Sequence, residues 1–552
     1  VAETEPGPPS KLGGGQSTSV IAIVLALAIV GGGVLLSSSQ EITIIVVSLD
    51  TTRPDHLSAY GYERLTSPSL AKLAREGVIF TNARSSTSWT LPAHMSLFTG
   101  LPTGLHDVNI DFQTLDVGRP ILGEIFSEAG FNTEGFYTAP YVHQRYGFGR
   151  GMEFFEPMTA NPMLFDLPAR EMRDQMGLRE MFSHQEVTTP RVTQQALRFL
   201  RDAKRPKNLL FLHLFDPHYD YKAGPKFRAP FVDPSYAGEI TGEALMSQLE
   251  LISAGDPADL RQLEDLYDAE LSFTDAHLQH VINAVKLTGR LGKTIIVVVA
   301  DHGEEFFEHG RYGHRMGLHD EVLRVPLIIW GPGIIPEGLT IEEDVTIYDV
   351  LPTLMDYADI DADPLIYGRS LRPLIEGGSL PPRASWSSLT FLHADGRDYY
   401  TLHESIVYEG LKLIRRVRVP WSPLDQRNIY NDPDWDTVEL EVYDLREDPG
   451  EQTNLVLSAP DDPRIELVMQ AFQDEAQRQQ TALGQFNPEG TRDIDANIGV
   501  LDMIKELGYA GMMEQGSQSV TGPRAESVSS EPEQGDPQTT TDASDPSQDP
   551  GR

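Results

Sequence analysis

Ile42-Thr43-Ile44-Ile45-Val46-Val47-Ser48-Leu49-Asp50 decides the fold. The run is apolar, largely β-branched and uncharged until Asp50 closes it. Such a stretch, with no polar alternation, reads as a strand covered on both faces, as in a parallel sheet between helices. The pattern returns at 208–215 (NLLFLHLF) before Asp216 and at 293–300 (KTIIVVVA) before Asp301. Shorter strand patterns fall at 78–80, 131–137 and 323–330. Helical patterns at 67–76, 118–129, 190–202 and 260–284 separate the strands. This alternation predicts an α/β fold, a doubly wound, mostly parallel sheet flanked by helices.

Beyond about residue 385 the character changes. Alternating stretches at 399–408, 412–419 and 438–445 predict a small C-terminal antiparallel β subdomain, followed by helices at 464–479 and 501–507. Four regions are expected: an N-terminal segment 1–39, an α/β domain 40–385, a β/helical subdomain 386–512 and an acidic tail 513–552. The tail is rich in Ser, Gln, Pro, Asp and Glu and reads as disordered. Residues 20–36 are uncharged and apolar, marginal in length for a membrane span. They read as a signal-anchor helix or a cleaved export signal, placing the bulk of the chain outside the cytoplasm, with the membrane reached through this segment.

The 552 residues carry 44 Lys and Arg against 82 Asp and Glu, a net charge of −38. That balance argues against nucleic acid as a partner. With no cysteine, thiolate nucleophiles, disulfides and zinc–thiolate sites are excluded. Any metal must be held by carboxylate, imidazole or hydroxyl groups.

Three buried-type strands end in an aspartate: Asp50, Asp216 and Asp301. Open α/β sheets build their sites at those strand ends. A single aspartate there is equally a helix cap or a turn residue. Asp301-His302 adds an imidazole to a carboxylate, and His218 lies close to Asp216. A further candidate is Thr90 in Ser88-Trp89-Thr90-Leu91-Pro92-Ala93-His94, just before a short helix expected at 93–98. Its hydroxyl is either a helix cap or a nucleophile near the positive end of that helix. Asp50, Thr90, Asp301 and His302 together make a four-ligand set for Zn²⁺, Mn²⁺, Ca²⁺ or Mg²⁺, and such an ion would acidify the Thr90 hydroxyl.

From residue 42 to 454 the chain resembles the sulfatase family of the alkaline phosphatase-like superfamily. The resemblance rests on motifs in order: 49–56 (LDTTRPDH) with Tyr60-Gly61, the Thr90 stretch through Thr99-Gly100, and Phe215-Asp216-Pro217-His218. Then come Tyr267-Asp268-Ala269-Glu270 with Asp275, Asp301-His302-Gly303-Glu304, Glu308-His309-Gly310 and Gly313-His314. Glu321 through Pro326, Asp349 with Pro352-Thr353, and Tyr443-Asp444-Leu445 with Asp448-Pro449 complete the set. The resemblance implies that Asp50, Asp301 and His302 bind metal and that Thr90 is the nucleophile. It also implies that His218 contacts the transferred group or the leaving oxygen, and that His314 stands where many members carry a lysine. Asp216, His218 and His314 are the candidate ligands of a second metal or of substrate, giving one or two divalent ions in all. His309 and His319 read as structural.

Three departures bear on the reaction. Thr90 replaces the Cys or Ser that becomes formylglycine, and with a methyl on its β-carbon it cannot form that aldehyde. Thr51 replaces the second aspartate of the family's adjacent pair. His94 stands where the family has an arginine and is the expected substrate contact. The expected function is metal-dependent hydrolysis of a sulfate or phosphate (mono- or di-) ester, carried by a small molecule, glycan or lipid, with Thr90 as nucleophile. A membrane-associated transferase of a phospho-headgroup through the same adduct, and a non-catalytic scaffold, are the alternatives.

Overall fold

The computed structural model describes, apart from residues 2 and 7, residues 41–111, 113–159, 186–243, 245, 248, 256–391, 399–420, 437–486 and 492–493. The apolar run 20–36, the short helix expected at 501–507 and the acidic tail lie outside the described residues. Among the described residues no helix is long and apolar enough to cross a membrane.

The large sheet is built from β1 (Ile42–Leu49), β2 (Val78–Arg84), β3 (Asn132–Tyr137), β4 (Phe154–Pro157), β5 (Lys207–Leu214), β6 (Thr294–Ala300), β7 (Arg324–Trp330), β8 (Leu339–Ile341) and β9 (Val345–Thr346). Its order is β8-β2-β7-β6-β1-β5-β3-β4, with β9 also on β2. β1 pairs in parallel with β5 and β6, and β3 in parallel with β5 and β4. Only β7 runs against its neighbours, antiparallel to both β6 and β2. The central strand is therefore the opening stretch of the sequence, and all eight of its residues are buried. Each Ile or Val covered in this way contributes ~1.5–3 kcal/mol.

In-register pairing sets the strand ends. Leu49 pairs with Leu214 on one side and with Ala300 on the other, so Asp50 and Asp301 emerge next to each other. Helices α1 (Pro68–Arg75), α2 (Thr90–Thr99), α3 (Leu122–Glu128), α4 (Thr189–Asp202), α5 (Pro257–Leu287) and α6 (Val350–Tyr357) accompany the sheet. α2 starts three residues before the expected 93. Pro92 lies in its first turn, where a missing N–H costs no intrahelical bond.

The polar motifs along the chain largely turn out to brace loops. Tyr267 on α5 donates its hydroxyl to the Thr51 carbonyl at 2.7 Å and accepts the Arg53 N–H at 2.9 Å. Asp268 meets His56 Nδ1 at 2.8 Å, and Asp275 accepts from the N–H groups of Ser69 and Leu70 at the start of α1. α5 thereby holds the loop after β1 from three points.

The C-terminal antiparallel sheet is present: β10 (Ser385–Phe391), β11 (Tyr399–Tyr408), β12 (Leu411–Pro420) and β13 (Thr437–Asp444), paired in sequence order. α7 (Pro463–Leu483) covers it, with Phe472 on Trp386 and a separate core of Ile406, Leu413, Val442 and Val468. This sheet docks beside the Thr90 loop: Ser388 donates its N–H to Ser86 O, and Ser387 its hydroxyl to Ser85 O.

Candidate active site

Thr90 is the first residue of α2, whose N-cap residue Trp89 makes no side-chain capping bond. Pro92 has no N–H and that of Ala93 bonds the Trp89 carbonyl, so the N–H groups of Thr90 and Leu91 carry the partial positive charge of this helix start. Thr90 is 3 % exposed, and its Oγ1 lies 3.3 Å from His302 Nε2.

The hydrogen-bond network assigns the tautomer of His302. Its Nδ1–H donates to the Gly303 carbonyl at 2.9 Å, so Nε2 carries the lone pair. That nitrogen is 3.4 Å from Asp301 Oδ2 and 3.8 Å from Asp50 Oδ1. Burial, with His314 adding to it, holds the imidazole well below its ordinary pKa, so it is neutral and able to ligate.

Each carboxylate has one oxygen pinned by protein and the other turned inward. Asp301 Oδ1 accepts the His302 N–H at 2.9 Å and the Thr51 N–H at 3.3 Å. Asp301 Oδ2, fully buried, accepts no hydrogen bond from the described residues. Asp50 Oδ2 takes His213 Nε2 at 3.0 Å. Burial and the neighbouring Asp50 charge push the Asp301 carboxyl far above the usual range. Two facing carboxylates in a dry site are costly unless a cation lies between them. Asp50, Asp301 and His302 have ligand atoms within 4.8 Å of one another, which fits a divalent ion. The Thr90 oxygen completes the donor set that the sequence singles out.

His213 carries no hint of function in the sequence beyond being the one imidazole in an apolar strand. In the fold it is fully buried on β5, and desolvation brings it down to about 3. Its neutral Nε2–H orients Asp50, an arrangement that fixes ligand geometry around metals.

His94 is not the substrate contact expected from its position. One turn after Thr90 on α2, its ring points into the sheet and is fully buried. Nδ1–H donates to the Thr90 carbonyl at 2.9 Å and Nε2 accepts from Ser48 Oγ at 2.9 Å. His94 also forms a trio of potential ligands with His213 and Asp301. Both His94 nitrogens are nevertheless engaged, so we assign it to bracing the start of α2.

Asp216 departs from expectation as well. Its carboxylate accepts from the N–H groups of Thr188 and Thr189 and from Thr188 Oγ1, which makes it the cap of α4. A second metal shared by Asp216, His218 and His314 finds no support in this geometry, because those two oxygens are committed to the cap.

His218 and His314 do converge on the site. His314 lies 4.5 Å from His302 between ring centroids, and His218 lies 4.9 Å from His314. His314 Nδ1–H donates to the buried carboxylate of Glu304 at 2.8 Å, and His218 Nδ1–H to the Tyr219 carbonyl at 2.8 Å. In both rings this presents Nε2 on the opposite edge. Glu304 acquires a role that its place in the motif alone does not disclose: it orients His314.

The sulfatase family profile matches residues 42–360, and the profile of the C-terminal region of N-sulphoglucosamine sulphohydrolases matches residues 307–481. Arylsulfatase K of Gallus gallus is 25% identical over 436 residues, covering 73% of this chain and 76% of that protein. An N-acetylglucosamine-6-O-sulfatase of Bacteroides thetaiotaomicron is 22% identical, covering 79% of this chain and 86% of its own. Among solved structures, the phosphonate monoester hydrolase of Agrobacterium radiobacter superposes with a TM-score of 0.59 at 19% identity, over 82% of this chain and 99% of that one. With the family's motifs in order along the chain and its profile spanning the sheet and the site, the chain belongs to the sulfatase family of ester hydrolases.

Proposed function

We propose that this protein is a metal-dependent hydrolase that cleaves a phosphate or phosphonate ester with Thr90 as nucleophile. One observation carries the reading: Thr90 Oγ1, at the start of α2, faces the same small space as Asp50 Oδ1, Asp301 Oδ2 and His302 Nε2. Asp50, Asp301 and His302, with the Thr90 oxygen, would hold the divalent ion. Such an ion would supply positive charge that acidifies the Thr90 hydroxyl and offsets charge on the non-bridging oxygens.

The chain's own groups do the rest. Thr90 Oγ, its proton already lost to water, attacks phosphorus in line, the bond to the leaving oxygen breaks, and the transferred group remains on Thr90. The first-turn N–H groups of α2 stabilise its oxygens. His314, oriented by Glu304, gives the leaving oxygen a proton from Nε2, and His218 contacts the same oxygen. Water then attacks the Thr90 adduct and loses a proton to His314, the bond from phosphorus to Thr90 Oγ breaks, and the phosphate or phosphonate anion leaves with Thr90 returned to its deprotonated form.

Sulfate ester hydrolysis is the second reading, favoured by the names of the relatives. It is weakened at Thr90 itself, which cannot supply the aldehyde hydrate. A sulfated or phosphorylated glycan is the substrate class that suits these relatives, and the apolar run 20–36 favours an extracytoplasmic location.

Matched aryl sulfate, phosphate monoester, phosphodiester and phosphonate esters, each assayed with Zn²⁺, Mn²⁺, Ca²⁺ and Mg²⁺, test the reading. Turnover of a phosphorus ester, its loss in Thr90→Ala, and a phosphorylated Thr90 peptide after acid quench are expected. Full activity in Thr90→Ala would overturn the mechanism.

A further inference from the structure

The end of the sheet opposite the site carries the reverse charge. β1, β5 and β6 run in parallel, so Asp50 and Asp301 lie at one end while Glu41, Lys207 and Lys293 lie at the other. The eight residues of β1 separate the two ends by ~25 Å. The chain as a whole has a net charge of −38, yet residues 198–207 (RFLRDAKRPK), which end α4 and lead into β5, hold five cations and one acid. Arg290 and Lys293, between α5 and β6, join them: Arg290 donates to the Ala203 carbonyl. Arg198, Arg201, Lys204, Arg205 and Lys293 are exposed. Three of these cations pair with an acid on the same surface: Arg201 with Asp202 at 2.7 Å, Arg205 with Glu153, and Lys293 with Glu41. Arg198 donates instead to the Gln195 side chain at 3.4 Å, and Lys207 to the Ala129 carbonyl at 3.2 Å, contacts that cancel no charge. An open groove of about 390 Å³ runs between α4 and β3, lined by Arg198, Lys204 and Arg205 as well as Glu134 and Asp202. Two large apolar side chains stand out beside the cations: Leu287, which ends α5, is 87 % exposed, and Phe154, next to Glu153, is 54 % exposed. β1 also begins at this end, and the apolar run 20–36 finishes shortly before it in the sequence.

Clustered Lys and Arg beside exposed Leu and Phe suit a bilayer surface, where lipid phosphates neutralise the cations and apolar side chains reach the acyl boundary. The surplus of acid elsewhere on the chain is repelled by such a surface, which turns this end toward it. We propose that the base of the sheet, around Arg198, Lys204, Arg205 and Lys293, docks on an anionic phospholipid surface and holds the active-site end ~25 Å away from it. The site then opens toward the aqueous side, and its substrate arrives from solution rather than from the lipid on which the base rests.

The test is co-sedimentation of the full chain with vesicles of phosphatidylcholine alone and of equal parts phosphatidylcholine and phosphatidylglycerol. Neutral vesicles report what the apolar run contributes, and the ratio of the two affinities reports the basic surface. Each cation near an anionic surface is worth roughly fivefold. The unaltered chain should favour the mixed vesicles by at least about tenfold, an advantage that shrinks as salt rises. In the combined variant Arg198→Gln, Lys204→Gln, Arg205→Gln and Lys293→Gln the ratio should fall to near one, with binding to neutral vesicles and the melting temperature unchanged. No preference in the unaltered chain, or a preference kept by the variant, overturns the docking surface. Tighter binding to soluble heparin than to the mixed vesicles overturns it too and reassigns the cations to an acidic glycan. Because the chain has no cysteine, a dye can be placed at Leu287→Cys on the base or at exposed Gln452→Cys beside Glu308. Brominated lipid should quench the first and spare the second; equal quenching overturns the orientation.

Discussion

His213 donates Nε2–H to Oδ2 of Asp50 at 3.0 Å across 163 residues of chain, with neither side chain exposed to solvent. The adjacent strands β1 and β5 place this pair, and the bond leaves Asp50 Oδ1 turned toward His302 and Asp301. His213→Ala should therefore reduce metal affinity ~10–100-fold without removing a ligand. Titration of metal-stripped protein while following tryptophan fluorescence or melting temperature checks this; unchanged affinity would show that Asp50 is oriented by something else.

Removal of the ion should lower stability as well. Asp50 and Asp301 are buried together, and their repulsion returns when no cation lies between them. An ion at a thousandfold excess over its Kd stabilises by ~4 kcal/mol. Chelator should thus lower the melting temperature of the wild type by several degrees, and that of Asp301→Asn far less.

Glu304 is predicted to matter in proportion to how badly the leaving group needs a proton. It holds Nδ1 of His314 at 2.8 Å, so Glu304→Ala frees the ring to turn. General-acid catalysis is worth ~10²–10⁴-fold. The variant should lose most of that factor on alkyl esters and little on 4-nitrophenyl esters, whose leaving group departs unprotonated. Equal losses on both would remove His314 from the role of acid.

Asp216→Ala should destabilise the chain by ~1–2 kcal/mol, the value of a helix cap. Metal stoichiometry, read by mass spectrometry of the native protein, should not change. A lost ion in this variant would restore Asp216 to the metal-binding residues.

A pH dependence is expected where β13 and the 305–321 segment meet. His309 stacks face to face on His319 at 3.6 Å and bonds Glu321 through Nδ1 at 2.7 Å. Its Nε2 reaches the Glu451 carbonyl, its own N–H reaches Glu305, and His319 in turn reaches Glu441. Burial alone would lower the His309 pKa, but Glu321 outweighs it and raises it from 6.5 to about 9. Burial opposes the shift of Glu321 too, yet His309 brings it down from 4.5 to about 2. A raised histidine stabilises fully below its ordinary pKa and loses that contribution as pH climbs through 9. A lowered glutamate stabilises above 4.5 and loses its share as pH falls toward 2. The pair is thus strongest between about pH 4.5 and 6.5. Melting temperature should decline from pH 7 to 10, and His309→Gln should flatten that slope.

Much of this architecture is legible in the residues alone. β1, β5 and β6 declare themselves because a strand covered on both faces must be apolar at every position, a property local to the stretch. Asp50, Thr90, Asp301 and His302 stand out as candidates because carboxylate, hydroxyl and imidazole are the groups that can hold a metal here, and two of them close apolar strands. The fates of Asp216, His94 and His213 are decided only by tertiary structure. Asp216 ends a strand as Asp50 does, but Thr188 and Thr189, brought up by α4, use both its oxygens. His94 lies in the Thr90 motif, but the rotation of α2 turns it inward to Ser48. His213 looks like an apolar strand's odd residue until the register of β5 on β1 sets it beside Asp50. A side chain's type is written in the sequence, whereas its partner is set by which distant segment the packing brings within 3 Å, and for a buried polar group the partner determines the role.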